Sequence, residues 1–400
     1  MRRWLTTLTF GLAFHAAAHA NPDAIDPHYL ELLRDIVNIN TDTQNMAGLA
    51  KAREVLIPHF EELGMKTSRH RLAESGREVL SFELPGAEPR VLLVGHLDTV
   101  FSESSSFQTF ELQGDRAVGP GVIDMKGGIV LMLNVLAQLK PSGHLGAVRV
   151  VLNDDEEIGS PHSKQTLRAL GKGIPYGLVF EPGLDDGAVV SSQAGVRWIK
   201  LTSLGKAAHA GLEPENGIDA CLDVVRKVLK LTDLSRPEVG LTINPGVMEG
   251  GRKPNVVCDR ASVTVDVRFR SPTDWRDLAS AIERIRAHSD VFNQRLGQGA
   301  ASQVTQLAEM PPLPASSTQA LVESWKVVTG QLGRSYGARG VGYGSDGNHL
   351  ADLGMQLLVG LGPYGGGMHS DKEFMWLSAY RDRLTLVTAL VQKLTLSGAR

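Results

Sequence analysis

The chain has 400 residues, 42% of them hydrophobic and 21% charged, with a formal net charge of −3. That length suits two domains better than one core. The near-neutral balance excludes electrostatic capture of nucleic acid or an anionic membrane, and no long polar or low-complexity tract marks disorder.

The first element is an export signal. Arg2 and Arg3 precede a mostly apolar stretch from Trp4 to Ala18, and Ala18-His19-Ala20 is a small-x-small cleavage pattern. A secretory signal peptide over residues 1–20, cut after Ala20, is expected. The apolar run is short for a membrane span, and no later segment reaches about 18 uninterrupted apolar residues. The mature chain is therefore expected to be periplasmic or secreted and free of the membrane. Two cysteines, Cys221 and Cys258, are too few for a disulfide framework. Buried free thiols are expected, with a single bridge as the alternative that export permits.

Leu30, Leu32, Leu33, Ile36 and Val37 repeat at helical spacing, and a second helical run goes from Met46 to Leu63. Val91 to Gly95 is a continuous apolar run that suits a strand buried on both faces, and Val148 to Leu152 and Tyr176 to Phe180 read as a second and a third buried strand. With a helix over Ile129 to Leu139 between the first two, they give the α/β signature. From about residue 195 the pattern alternates instead, over Val196 to Ser203 and again over Ser262 to Arg270. Helices are expected after each, from Gly217 to Leu231 and from Pro272 to His288. The chain then returns to helix near Ser317, a strand at Gln356 to Val359 and a terminal helix from Ser378. The expected architecture is an α/β catalytic domain with a mixed sheet, over 21–194 and 308–400. An inserted α+β domain over 195–307 interrupts it.

Polar residues gather where the buried runs end, the edge at which open α/β sheets bind ligands. His96-Leu97-Asp98 follows the first run, and Asp154-Asp155-Glu156-Glu157 the second. Glu181-Pro182-Gly183 follows the third. Gly121-Val122-Ile123-Asp124-Met125-Lys126-Gly127-Gly128 and His369-Ser370-Asp371 add to them. Converging carboxylates in a low-dielectric cleft demand counter-charge. Imidazoles with carboxylates suit zinc, with cobalt or manganese as substitutes. Asp124 could instead be only a helix N-cap. Asp154 and Asp155 read as solvated or turn residues, and His162 and His349 as ordinary residues of the surface or of the site's surroundings.

These motifs, in this order and with His209-Ala210-Gly211, resemble a two-zinc metallopeptidase family. It comprises acetylornithine deacetylase, succinyl-diaminopimelate desuccinylase, aminoacylase and bacterial glutamate carboxypeptidase. The resemblance covers the whole mature chain and is strongest to the glutamate carboxypeptidase branch. It implies that His96 and Glu181 bind one zinc, His369 and Glu157 the other, and that Asp124 bridges them. It implies Asp98 as the partner that orients His96, and Glu156 as the general base. His209 would donate to the substrate oxyanion of the partner subunit, in a homodimer joined through the inserted domain. Asn255 and Arg268 match positions that bind the substrate's carboxylate. The implied reaction releases a C-terminal amino acid, glutamate above all, from N-acyl, peptide or folate-type substrates. A deacylase or dipeptidase is the alternative, and a metal-binding protein without catalysis is the reading from another class. Met310 departs from the pattern, because it stands where the branch carries a glutamate-binding arginine.

Overall fold

The computed structural model describes residues 25–396. The expected signal peptide and its cleavage site lie outside the described residues. The helices Pro27–Val37 and Met46–Glu62 are capped at their starts by the side chains of Asp26 and Asn45. Leu32, Leu33, Ile36 and Val37 face the core, as their spacing predicts.

An eight-stranded mixed sheet forms the centre. Its inner strands Val148–Asn153, Val91–His96, Tyr176–Val179 and Gln356–Val359 lie side by side and parallel. Each has helices on both faces, which is why these runs are apolar without alternation. Leu93 and Leu178 pack toward the helices Gly127–Leu139 and Leu377–Leu396. Leu92, Val94 and Val179 pack the other way, with Leu167 and Leu350 from the helices Lys164–Gly171 and Asp346–Leu350. The antiparallel hairpin Lys66–Leu72 and Arg77–Glu83 extends one edge. Its first strand, Lys-Thr-Ser-Arg-His-Arg-Leu, carries no apolar run and has no buried residue, so hydrophobic patterning gives no sign of it.

Residues 195–310 build a second, four-stranded antiparallel sheet, ordered Thr242–Gly250, Arg260–Phe269, Gly195–Leu204 and Ala301–Met310. The two alternating strands were expected. The two flanking ones were not, because both are mostly exposed and lack a clean alternation. Ile199, Leu201, Val263, Val265 and Val267 bury one face against the helices Ala220–Thr232 and Pro272–Ala287. The second helix opens on a capping box between Ser271 and Asp274, with Pro272 in its first turn. Where the chain enters and leaves this sheet, Gln193 and Leu313 exchange backbone hydrogen bonds of 2.9 and 3.1 Å. The two connections therefore form one clasped neck.

The free-thiol expectation is corrected here. Cys221 and Cys258 form a disulfide across a sequence separation of 37 residues, with their Cα atoms 5.6 Å apart. The cause is local: Ala220 N donates to Cys258 O at 2.8 Å, which brings the adjoining Cys221 within bridging reach. A loop of that size stabilises by about 2–4 kcal/mol.

Candidate metal centre

The strands Val91–His96 and Val148–Asn153 run in register, with His96 opposite Asn153. Their following loops therefore leave the same edge. Glu156–Ile158 is a 3-10 turn rather than a continuing strand. The differing directions of Glu156 and Glu157 come from this turn, not from strand alternation. Asp98, fully buried, holds it: its two carboxylate oxygens accept from Glu156 N and Glu157 N at 3.1 Å each. Thr43 Oγ1 donates to the same carboxylate at 2.8 Å. His96 Nδ1 lies 3.0 Å from the Asp98 carbonyl and 3.5 Å from its carboxylate. Asp98 thus fixes the imidazole and the two glutamates together.

Asp124 sits in the bend that leads into the helix Gly127–Leu139. That helix abuts the Glu181 strand end closely: a Cβ on Gly128 would fall 2.2 Å from Phe180 O. Only glycine allows this approach. Glu373, fully buried, accepts from Ile123 N at 3.0 Å and Asp124 N at 3.3 Å, and so tethers the bend. Asp124 then offers one oxygen to each imidazole. Oδ1 lies 3.3 Å from His96 Nε2 and Oδ2 lies 3.3 Å from His369 Nε2. Glu181 approaches His96 Nε2 at 3.6 Å, and Glu157 approaches His369 Nε2 at 3.5 Å. His369 holds a left-handed φ of 61°, unusual for a residue other than glycine, and its side chain is half exposed at the rim.

Burial, with the negative charge of Glu181 beside it, pushes Glu156 well above the ordinary carboxylate range. Burial likewise pushes Glu157 well up, and Glu181 to about 8. Burial acts to raise Asp124 too, yet His369 and His96 hold it below its ordinary value. Such a cluster calls for positive charge. His96 Nε2, Asp124 Oδ1 and Glu157 Oε1 are buried without any hydrogen-bond partner. Atoms of His96, Asp124 and Glu157 lie within 4.8 Å of one another, as do atoms of His96, Glu156 and Glu181. Two imidazoles and four carboxylates with orphaned atoms fit a pair of divalent cations. Glu156 belongs to the second of these groups as well, so ligation and proton transfer are both within its reach. Replacing Asp98 with Ala should weaken metal binding by about 10–100-fold. Competition against a chromogenic chelator measures this, and unchanged affinity would refute the anchoring role.

The centre forms the floor of a cleft of about 520 Å³ that Arg268 and Met310 also line. Arg268 is held by Asp266 through Nε at 2.8 Å and one terminal nitrogen at 2.7 Å. His209 and Asn255 are exposed and stand outside the residues that line this cleft. They are neighbours of each other, with Ala210 N donating to Asn255 O at 3.0 Å. His209 Nδ1 accepts from Gly211 N and Leu212 N at 3.2 and 3.1 Å.

Asp154 and Asp155 stand at the turn after the strand, as one of the two expectations had it, but they are fully buried rather than solvated. Asp154 pairs with Arg53 at 2.7 Å, and Asp155 accepts from His162 N and Ser163 N at 2.8 and 3.2 Å. Two buried acids support the centre from outside it. Glu373 was visible only as one acid after His369. Asp346, buried beside the site, accepts from Ser160 Oγ at 2.5 Å and Asn153 Nδ2 at 2.8 Å. No local spacing signals either one, since their partners lie far away in the chain.

A mixed α/β frame with carboxylates and imidazoles gathered at the carboxyl ends of its strands defines a metal-dependent hydrolase. Residues 92–393 match the peptidase family M20/M25/M40, and the chain belongs to that family. It is 28% identical over 376 residues to carboxypeptidase G2 of Pseudomonas sp. (strain RS-16), covering 92% of this chain and 89% of that one. A tripeptidase of Staphylococcus aureus shares the fold with a TM-score of 0.75 at 20% identity, over 93% of this chain and 99% of that one. An M20 family metallo-carboxypeptidase of Sulfolobus solfataricus superposes with a TM-score of 0.71 at 15% identity, over 93% and 100%.

Proposed function

We propose that the chain is an exported dizinc carboxypeptidase. It cuts the amide bond next to a free carboxylate and releases the C-terminal residue of an N-acyl amino acid or peptide. The observation that carries the reading is Asp124, with one oxygen 3.3 Å from each of two imidazoles. His96 and Glu181 would hold one ion, His369 and Glu157 the other, with Asp124 shared. Zinc there, or cobalt or manganese in its place, would polarise the scissile carbonyl and lower the pKa of an attacking water.

The remaining work falls to side chains. Glu156 takes a proton from the water and delivers it to the leaving nitrogen. Arg268 receives the substrate's carboxylate. His209 and Asn255 would complete the site of a partner subunit, in a homodimer joined through the inserted sheet. His209 Nδ1 accepts two backbone N–H groups, so in the neutral ring Nε2 carries the proton and can donate to an oxyanion.

Purified full-length protein should take up two zinc ions per chain and hydrolyse members of a panel of N-acyl amino acids and dipeptides. Glutamate and folate conjugates, which the resemblance implies, belong in that panel. Chelation should abolish turnover and zinc should restore it. Turnover that survives metal removal would overturn the reading. Mixing a His209→Asn variant with a metal-dead one should regain part of the activity, because one hybrid site is intact. No recovery would refute the shared site.

A further inference from the structure

The register of the second sheet decides what its cleft face presents. Val196 pairs with both Arg268 and Met310, and Trp198 pairs with Asp266 and Ala308. Directly paired residues share a face, and Ile199, Leu201, Val265 and Val267 occupy the opposite one. Val196, Trp198, Arg268, Ala308 and Met310 accordingly all line the cleft above the metal centre.

This wall is apolar but for one guanidinium. Met310 packs tightly into it: a Cβ on Gly344 would meet Met310 Sδ at 2.9 Å and Val196 Cγ2 at 3.4 Å. Arg268 has two of its nitrogens occupied by Asp266, which leaves one terminal nitrogen without a partner. Glu309, the charged neighbour of Met310, is an anion already matched by Lys164 at 3.3 Å and Arg197 at 3.5 Å. Apart from Arg268 and the imidazole of His369, the lining offers no basic side chain. The floor is formed by Asp124, Glu156, Glu157 and Glu181.

The geometry points to an apolar or aromatic side chain on the residue released, seated against Val196, Trp198 and Met310. This inference rests on the carboxypeptidase reading and names the substrate class of that same site. One guanidinium answers one carboxylate, the terminal one. A glutamate or aspartate side chain would bring a second carboxylate against this apolar wall, whose one guanidinium is already committed to the terminal carboxylate. A leucine, methionine or phenylalanine side chain would gain from leaving water there.

The test is kcat/KM of the zinc-loaded full chain on one N-acyl group joined in turn to leucine, methionine, phenylalanine, glutamate and lysine. The expected ranking places the three apolar residues above glutamate by about tenfold or more. Glutamate equal to or better than leucine overturns this inference and leaves the carboxypeptidase reading intact. Hydrolysis of no member, with two zinc ions bound, overturns both. Met310→Arg supplies a second readout. It should move the glutamate-to-leucine ratio toward glutamate by a similar factor. A variant that binds zinc normally with its ratio unchanged would count against Met310 as a determinant. If the variant does not fold, the wild-type ranking alone decides.

Discussion

Glu156→Gln should cut turnover by about 10²–10⁴-fold while the protein keeps both metal ions. The change is nearly isosteric, so the turn held by Asp98 survives through its backbone N–H groups, which the substitution does not touch. What disappears is the group able to take and return a proton. Metal content by atomic spectroscopy, beside the rate on one N-acyl amino acid, separates two outcomes. Loss of rate with metal retained supports the proton-transfer role. Loss of metal would instead make Glu156 a ligand, as its closeness to His96 and Glu181 permits. Full turnover in this variant would refute the base assignment.

Asp124→Asn should do more damage, and of a different kind. The carboxylate presents an oxygen to each imidazole, whereas an amide presents one oxygen and one NH₂ group. One side of the centre then faces a donor where it needs an acceptor. At least one ion per chain should be lost, with affinity falling beyond the roughly 10–100-fold that an outer partner costs. Turnover should fall below detection. The metal-dependent rise in melting temperature should shrink too, since ions that bind only the folded chain stabilise it by mass action. Calorimetry with and without added zinc reads this directly. A wild-type shift in the variant would show that Asp124 is not shared between two sites.

The buried parallel strands were legible because three runs dense in apolar residues, broken only by Arg149, suit strands covered on both faces. The acids and the imidazole that follow them were legible because a strand end fixes where a loop begins, while Asp124 and His369 were legible only through the motifs they share with the family the chain resembles. His96, Asp98, Asp124, Glu157, Glu181 and His369 are accordingly brought together. Partnerships across long separations were not legible. Glu373 meets Ile123 across 250 residues, and no periodicity records such a meeting. The exposed strands Lys66–Leu72 and Ala301–Met310 were missed because hydrophobic patterning reports burial, and they have little. The disulfide turned on a single backbone hydrogen bond between Ala220 and Cys258, which sequence spacing does not encode.

The clasp between Gln193 and Leu313 has a mechanical result. Two chain segments pinned side by side by one bridge act as a pivot, so a swing of the second sheet would be a rotation about that point. Displacement in such a rotation grows with distance from the pivot. Val196 and Met310, three residues from the pinned pair on either side, would scarcely travel. His209 and Asn255, far along the lever, would sweep a wide arc. Opening such a jaw would carry its tips away while leaving the wall at its root nearly unmoved.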